Sequence, residues 1–324
     1  MLFSFFKRKI KTSLFTIAFY NLENLFDPID DSDTLDGEFT PKGEKRWTTS
    51  RYNKKLYKIG NTISQIGKST SEISPVLIGV AEVENKTVLN DLLNTSPIAD
   101  INYGYEHYDS PDERGIDTAL IYHKDFFTVI ASEPIPLLIQ NLNGERDATR
   151  DILYVHGKLN GEEVHIFVNH WPSKREGNGE TDYKRIEAAA TIKRFMSKIE
   201  TEIVSPNYII MGDFNDGPKA ESIASLLETK VLFNPMENLI TPKRGSANYK
   251  RKWSLFDQII ISHNFLNYEK GTHSFTEANV FDEHFLTEFK GKYKGNPFRT
   301  YVGKKYIGGY SDHFPVFLQV KYNK

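Results

Sequence analysis

Apolar runs of four to nine residues recur along the chain, most of them closed by Gly, Pro, Asp or Asn. Seven of them predict strands: Leu14–Tyr20, Val76–Val80, Thr118–Tyr122, Val164–Val168, Tyr208–Met211, Gln258–Ile261 and Phe314–Tyr322. The last alternates, with Phe314, Val316, Leu318 and Val320 on one face and Pro315, Phe317, Gln319 and Lys321 on the other. A period near 3.6 predicts helices over Ser50–Ile66 and Tyr183–Lys198. In the second, Ile186, Ala189, Ala190, Ile192 and Met196 share the segment with solvated Lys and Arg. A shorter helix is predicted over Ala220–Leu227. Polar and Gly-rich stretches at Asp27–Lys45, Asp109–Arg114, Lys174–Thr181, Pro242–Lys252 and Gly291–Gly309 read as loops. None has the character of an interdomain linker, and no internal repeat is visible. One domain over residues 1–324 is therefore expected, with 1–13 as a ragged extension before the first strand.

The polar residues that bound these runs change the picture. Asn21 follows FTIAFY, Glu82 follows VLIGVA, His170 follows VHIFVN, and Asp213 and Asn215 follow YIIM and its glycine. These lie at the C-terminal ends of strands. Asp257 precedes QIII, and Asp312 and His313 precede FPVFLQV, at N-terminal ends. A purely parallel doubly wound sheet offers a ligand only its carboxyl ends. If the whole set converges, some strands must run against others, so a mixed or antiparallel arrangement is expected.

Composition narrows the chemistry. The chain is 39% hydrophobic and 26% charged, with a formal net charge of -2. That excludes a protein that lives by non-specific grip on nucleic acid, yet leaves room for a nuclease with local basic patches. Cysteine is absent, which excludes disulfides, thiolate catalysis and cysteine-ligated zinc. Any metal must be held by oxygen or imidazole. The N-terminal Leu2–Phe6 run is too short to span a membrane, and its order relative to the basic residues is not that of a secretory signal. A cytoplasmic protein is expected.

Each polar station has an ordinary structural reading by itself. GDFND can be a tight turn, Asp312–His313 a turn leading into a strand, Glu82 and Glu84 a solvated strand end, and His170 a satisfied core histidine. Asp257, set against an apolar run, calls for a partner, and a buried pair with a histidine fits. Together the stations form one set of hard oxygen donors, amides and imidazoles. Carboxylates suit Mg²⁺ or Mn²⁺, and hydrolysis of a phosphate ester needs an aligned water, a base, and donors to the phosphoryl oxygens.

The motifs NLENLF, AEVEN, NHWPS, GDFND, LFDQI and SDHFPV, in that order from Asn21 to Pro315, resemble the endonuclease/exonuclease/phosphatase superfamily. RGIDTALIY, RDATRDILYV and GGYSDHFPV further resemble its bacterial members of unassigned substrate. The resemblance implies an α+β fold, a four-layer α/β sandwich of two packed mixed β-sheets flanked by helices. It implies metal ligation by Asn21, Glu82 and Asp312, with Mg²⁺ or Mn²⁺ as the cofactor and Ca²⁺ a further option. Asp213 matches the residue that orients and deprotonates water. Asn215 and His170 match donors to the phosphate, and Asp257 with His313 matches a carboxylate–imidazole pair. An arginine facing the phosphate is expected, with Arg150 preferred over Arg146. Arg114 and Lys174 are candidate substrate contacts, with Arg175 beside them. The implied activity is a metal-dependent phosphodiesterase or nuclease acting as a monomer. The alternatives are a phosphomonoesterase for a small molecule or lipid headgroup, and a non-catalytic scaffold. Specificity is expected in the loops Asp27–Thr49, Lys174–Thr181, Lys243–Lys252 and Lys292–Tyr310. Their aromatic residues Trp47, Tyr249, Trp253, Tyr293, Phe298, Tyr301 and Tyr306 can stack on bases or simply pack.

Overall fold

The computed structural model describes residues 13–141, 144–174 and 181–324. The first half of the chain supplies strands β1 (Leu14–Leu25), β2 (Leu77–Val83), β3 (Tyr103–His107), β4 (Asp117–His123), β5 (Phe127–Ile135) and β6 (Ile152–Leu159). The second supplies β7 (Glu162–His170), β8 (Tyr208–Asp213), β9 (Leu232–Phe233), β10 (Asp257–Ser262), β11 (His273–Val280) and β12 (Val316–Tyr322). The helices are α1 (Thr49–Gln65), α2 (Lys86–Leu93), α3 (Asp182–Glu200) and α4 (Glu221–Leu227).

The strands form two six-stranded sheets, ordered β11-β12-β1-β2-β4-β3 and β9-β10-β8-β7-β6-β5. Each holds one parallel pair, β1 with β2 and β7 with β8. The remaining neighbours run antiparallel. This is the mixed sandwich that the placement of the polar stations required.

The central strands read as continuous apolar runs because both of their faces are buried. Ile209 and Met211 of β8, with Ile259 and Ile261 of β10, enter the core between the sheets. Tyr208, Ile210 and Ile260 point the other way, against Ala188, Ala189, Ile192 and Met196 of α3 and Ile223 and Leu226 of α4. On the first sheet, α1 and α2 contribute Ile59, Ile63, Val88 and Leu92 to the core. The sheets approach so closely at Gly79 that a Cβ there would lie 2.5 Å from Met211 Sδ.

Strand β12 starts at Val316, after Pro315, which has no N–H to give the ladder. The second face of this strand is covered as far as Gln319, and Lys321 is exposed. Gln319 is buried, and its amide donates to Thr16 Oγ1 and the Gly67 carbonyl. The sequence reading did not find β3, β5, β9, β11 or α2, whereas the strand expected at DILYV is β6. Strands β5 and β11 are largely half-buried or exposed along their length, so they carry little apolar signal. Helix α2 has eight residues and is set by its cap, Asn85, whose side chain accepts from Val88 N. Among the described residues no helix is long and apolar enough to cross a membrane.

Candidate active site

Two parallel strand pairs deliver the site. Asn21 lies opposite Ala81 across β1 and β2, beside Glu82, while His170 and Asp213 are paired across β7 and β8. Antiparallel β10 sets Asp257 opposite Asp213, and antiparallel β12 brings its preceding residues back to the end of β1. The ladders of β2 with both neighbours shift register at Glu82, which has φ 61°. A bulge of this kind re-aims a side chain, and a left-handed glutamate stores strain of order 1–3 kcal/mol. The effect is to bring Glu82 Oε1 within 3.4 Å of Asn21 Nδ2, which also donates to Asp213 Oδ2 at 3.1 Å. The two sheets therefore meet through one amide between two carboxylates. His170 Nε2 lies 3.8 Å from Glu82 Oε1 and 3.9 Å from Asp213 Oδ2. Glu82 is buried rather than solvated, and His170, buried as a core histidine would be, faces it across the site.

GDFND forms a turn that carries Asp213 into the site. Gly212 is required because a Cβ would lie 2.4 Å from the Asn169 carbonyl oxygen. Asn215 adopts φ 50°, a conformation asparagine tolerates. Its N–H donates to Asp213 Oδ1 at 2.9 Å and its amide to the Trp171 carbonyl at 2.9 Å. The final Asp216 is an anchor that sequence reasoning passed over. Its Oδ2 accepts from Arg185 Nε at 2.8 Å and Ser222 Oγ at 2.6 Å, and its Oδ1 meets Lys174 Nζ at 2.6 Å. Arg185 is fully buried. Asp216→Ala removes one of the two carboxylates on that guanidinium and leaves Asp182, and is expected to cost about 1.5–3 kcal/mol. Urea unfolding measures this, and a loss below about 1 kcal/mol would mean that the pair is dispensable.

The carboxylates are electrostatically crowded. Asp213 is pushed up to about 7, first by burial and then by neighbouring Asp257, against the pull of His313 and the bonds from Asn215 and Asn21. His313 Nδ1 is 2.7 Å from Asp257 Oδ2, and its Nε2 is 3.9 Å from Asp213 Oδ2. Burial alone would lower its pKa. Asp257, Asp213 and Asp312 outweigh burial and hold the imidazole well above the ordinary histidine value. The expected buried pair is thus in place, with Asp257 completely buried.

A second network surrounds Asp312. Arg299 bonds its Oδ2 at 2.6 Å and reaches Glu23 Oε1 at 3.5 Å. Glu23 accepts from Thr300 N at 2.6 Å and lies 3.8 Å from the buried Lys55 ammonium. Burial, then Asp312, raises the Glu23 carboxyl, while Lys55 and Arg299 pull it down. Glu23, Lys55 and Arg299 were missed. Glu23 lies inside the NLENLF motif, and Arg299 lies in the Lys292–Tyr310 loop, where only aromatic residues stand out in the sequence. Glu84 is half-buried, and its carboxyl is pushed up to about 8, mainly by burial.

The candidate arginines separate by position. Arg114 lies at the mouth, 4.0 Å from Glu82 Oε1 and 3.3 Å from Asn24 Oδ1. Arg150 is buried and donates to Asp112 Oδ2 at 2.8 Å and to the Trp171 carbonyl at 3.2 Å. Arg146 is exposed in a short hairpin with Gln140. Lys174 is held by Asp216, and Arg175 lies outside the described residues. Of the seven loop aromatics, Trp47 and Tyr301 are buried and Trp253 stacks on Phe314. Tyr249 and Tyr293 are exposed.

The residues fit a hard divalent cation. Glu82 lies near the end of β2 and Asp312 shortly before β12, the two strands that flank β1 and its Asn21. Both carboxylates act on the same cations, Lys55 and Arg299. All the available donors are oxygen or imidazole, as Mg²⁺ and Mn²⁺ prefer. Asn21 turns its amide nitrogen toward the carboxylates, while its Oδ1 accepts from Glu23 N at 2.9 Å. Asp213, Asp257 and His313 also group their ligand atoms within 4.8 Å. Here the Asp257–His313 bond occupies the imidazole Nδ1, an arrangement suited to proton handling.

A sequence model of the Endonuclease/Exonuclease/phosphatase family matches residues 16–322. No curated protein sequence matches the chain. Among solved structures, an endonuclease/exonuclease/phosphatase family protein from Bacteroides thetaiotaomicron is 19% identical. The match covers 96% of this chain and 95% of that one, with a TM-score of 0.58. A mannosyl-6-phosphatase from the same organism is 18% identical, over 95% and 100% of the two chains, with a TM-score of 0.59. The human Nocturnin catalytic domain with bound sulfate is 13% identical, over 96% and 94%, with a TM-score of 0.58. At these identities the likenesses show a shared fold.

Proposed function

The chain belongs to the endonuclease/exonuclease/phosphatase family, and on that premise we propose that it hydrolyses a phosphate ester with a divalent cation and a water deprotonated by Asp213. The observation that carries this reading is the Asp213 carboxyl itself. It is buried, pushed up to about 7, and ringed by Asn21, His170 and His313. A general base works best when its pKa lies near the working pH.

Glu82 and Asp312, with Asn21 beside them, would hold Mg²⁺ or Mn²⁺, which supplies charge neutralisation at the phosphoryl oxygens. The protein's own residues do the rest. Asp213 takes the proton of the attacking water. His170 and the Asn215 amide donate to phosphoryl oxygens. His313, kept protonated by Asp257, stabilises charge that develops there. Arg114 contacts the phosphate at the mouth. Arg150 positions Asp112 and the Trp171 carbonyl behind it. Lys174 holds Asp216 and the end of the GDFND turn. Every station of the motif set is present, which favours catalysis over a binding scaffold.

A phosphodiester, including a nucleic-acid backbone, is the first substrate reading. A phosphomonoester of a small molecule is the second. It is favoured by a cavity of about 350 Å³ that opens beside Arg114, and it agrees with the name of the mannosyl-6-phosphatase relative. A screen of purified protein with Mg²⁺, Mn²⁺ or chelator separates the two. Its substrates are a synthetic diester, a synthetic monoester, DNA, RNA, nucleotides and sugar and inositol phosphates. Release of product only when the cation is supplied is expected. Equal rates in chelator would refute the metal assignment, and cleavage of none of the esters would refute the hydrolase assignment.

A further inference from the structure

The cavity of about 350 Å³ beside the site lies between the loop that follows β1 and the segment Arg299–Gly303. Two of its lining residues belong to the site itself: Arg114, 4.0 Å from Glu82, and Arg299, bonded to Asp312. A group attached to a phosphate at Glu82 and Asp213 would extend into it. Its volume is near the lower end of ligand cavities, about 300–1,000 Å³, which suits one ring with its substituents.

The chemistry of the walls is specific. Four of the lining residues are aromatic, but they pack on one another. Phe26 and Phe39 stack with centroids 4.6 Å apart, and Trp47 and Tyr301 pack against Phe39. All four are buried. Their polar atoms are also satisfied within the protein, since Trp47 Nε1 donates to the Phe26 carbonyl and Tyr301 Oη to the Lys45 carbonyl. A nucleobase is usually held on an open aromatic face, and this cavity offers none. What it does offer is alternating charge. The Glu38 carboxylate lies 3.5 Å from the Lys45 ammonium, which also donates to the Gly303 carbonyl at 3.2 Å. Arg114, Arg299 and Glu23 continue the pattern toward the site.

A hydroxyl group is both donor and acceptor. Adjacent carboxylate and ammonium groups therefore satisfy vicinal hydroxyls, whereas an apolar or purely anionic group leaves one of them unpaired. We infer that this cavity is the specificity pocket for a compact polyhydroxylated ring, a sugar or cyclitol, carried on the phosphate. The inference rests on the reading of Glu82 and Asp213 as the phosphate-ester site.

Equilibrium binding to the full chain in chelator, followed by calorimetry or ligand-observed NMR, tests it without turnover. Glucose 6-phosphate and myo-inositol 1-phosphate are expected to bind about tenfold more tightly than phenyl phosphate, whose ring carries no hydroxyl, the effect of one charge-assisted hydrogen bond. Lys45→Ala should reduce that preference about tenfold. Glu38→Gln should reduce it too, and because Glu38 is exposed the variant carries no folding risk. Phenyl phosphate binding as tight as either polyol phosphate, no binding of either, or a preference unchanged in both variants overturns the inference. Failure to hydrolyse any ester with Mg²⁺ or Mn²⁺ would instead count against the hydrolase assignment, and the binding preference would stand.

Discussion

Asp213→Asn is expected to lower kcat about a thousandfold, within the span of general-base effects, and to leave the fold as stable as before. The two halves of this expectation come from the same burial. Asp213 is surrounded by the hydrogen bonds of Asn21 and Asn215 and by the charge of Asp257. Its carboxyl is pushed up from 3.8 to about 7 in the fold. Such a group is disfavoured in its charged form, so the folded state loses stability as pH rises from the ordinary carboxylate range through about 7. The cost at pH 8 is at most roughly 4 kcal/mol. An asparagine carries no charge and keeps an oxygen for the Asn215 N–H, so it avoids that cost. In chelator at pH 8 the variant should melt at or above the temperature of the parent. At pH 4, where the parent carboxyl is neutral, any advantage should vanish. Full activity on whichever ester the parent cleaves would remove Asp213 from the role of base. A variant that melts well below the parent would make the lost activity a matter of folding.

The second large effect is expected at Asp257. Its carboxylate bonds His313 Nδ1 at 2.7 Å within a completely buried position. With Asp257→Asn the largest charge that opposes burial of the imidazolium is gone, and burial then drives His313 toward the neutral form. A fall in kcat of about a hundredfold is expected, together with a pH–rate profile whose alkaline limb moves to lower pH. Stability should change in the matching direction. In the parent, His313 titrates well above its ordinary value. It therefore contributes stability that is fully present below about 6.5 and is lost as pH rises through the higher folded value. Urea midpoints measured from pH 6 upward should fall in the parent and stay flatter in Asp257→Asn. A profile that keeps its alkaline limb in place would separate His313 from the rate.

The fold was readable in the sequence where burial is two-sided. The runs YIIM and QIII are unbroken because β8 and β10 face the inter-sheet core on one side and α3 and α4 on the other. It was unreadable at the sheet edges, where β5 and β11 are half-exposed and their residues follow no period. For the site, the deciding clue was position. Polar residues at both kinds of strand end demanded antiparallel neighbours, and the ladders β8–β10 and β1–β12 supply them.

The residue types at the candidate site, the strand ends that carry them and the mixed direction of the strands were legible along the chain. These are local properties, set by hydrophobic runs and by the residues that stop them. Tertiary structure alone decided which of these residues touch and what else joins them. It put Arg114 at the mouth and Arg150 behind it, made Asp216 an anchor for a buried arginine, and drew Glu23, Lys55 and Arg299 around Asp312. It also turned the loop aromatics Trp47 and Tyr301 inward, closing a stacking surface that their sequence position left open. The reason is that charge and packing act across chain separations of hundreds of residues, such as Glu23 to Thr300, and no local pattern records which distant partner a buried group will meet.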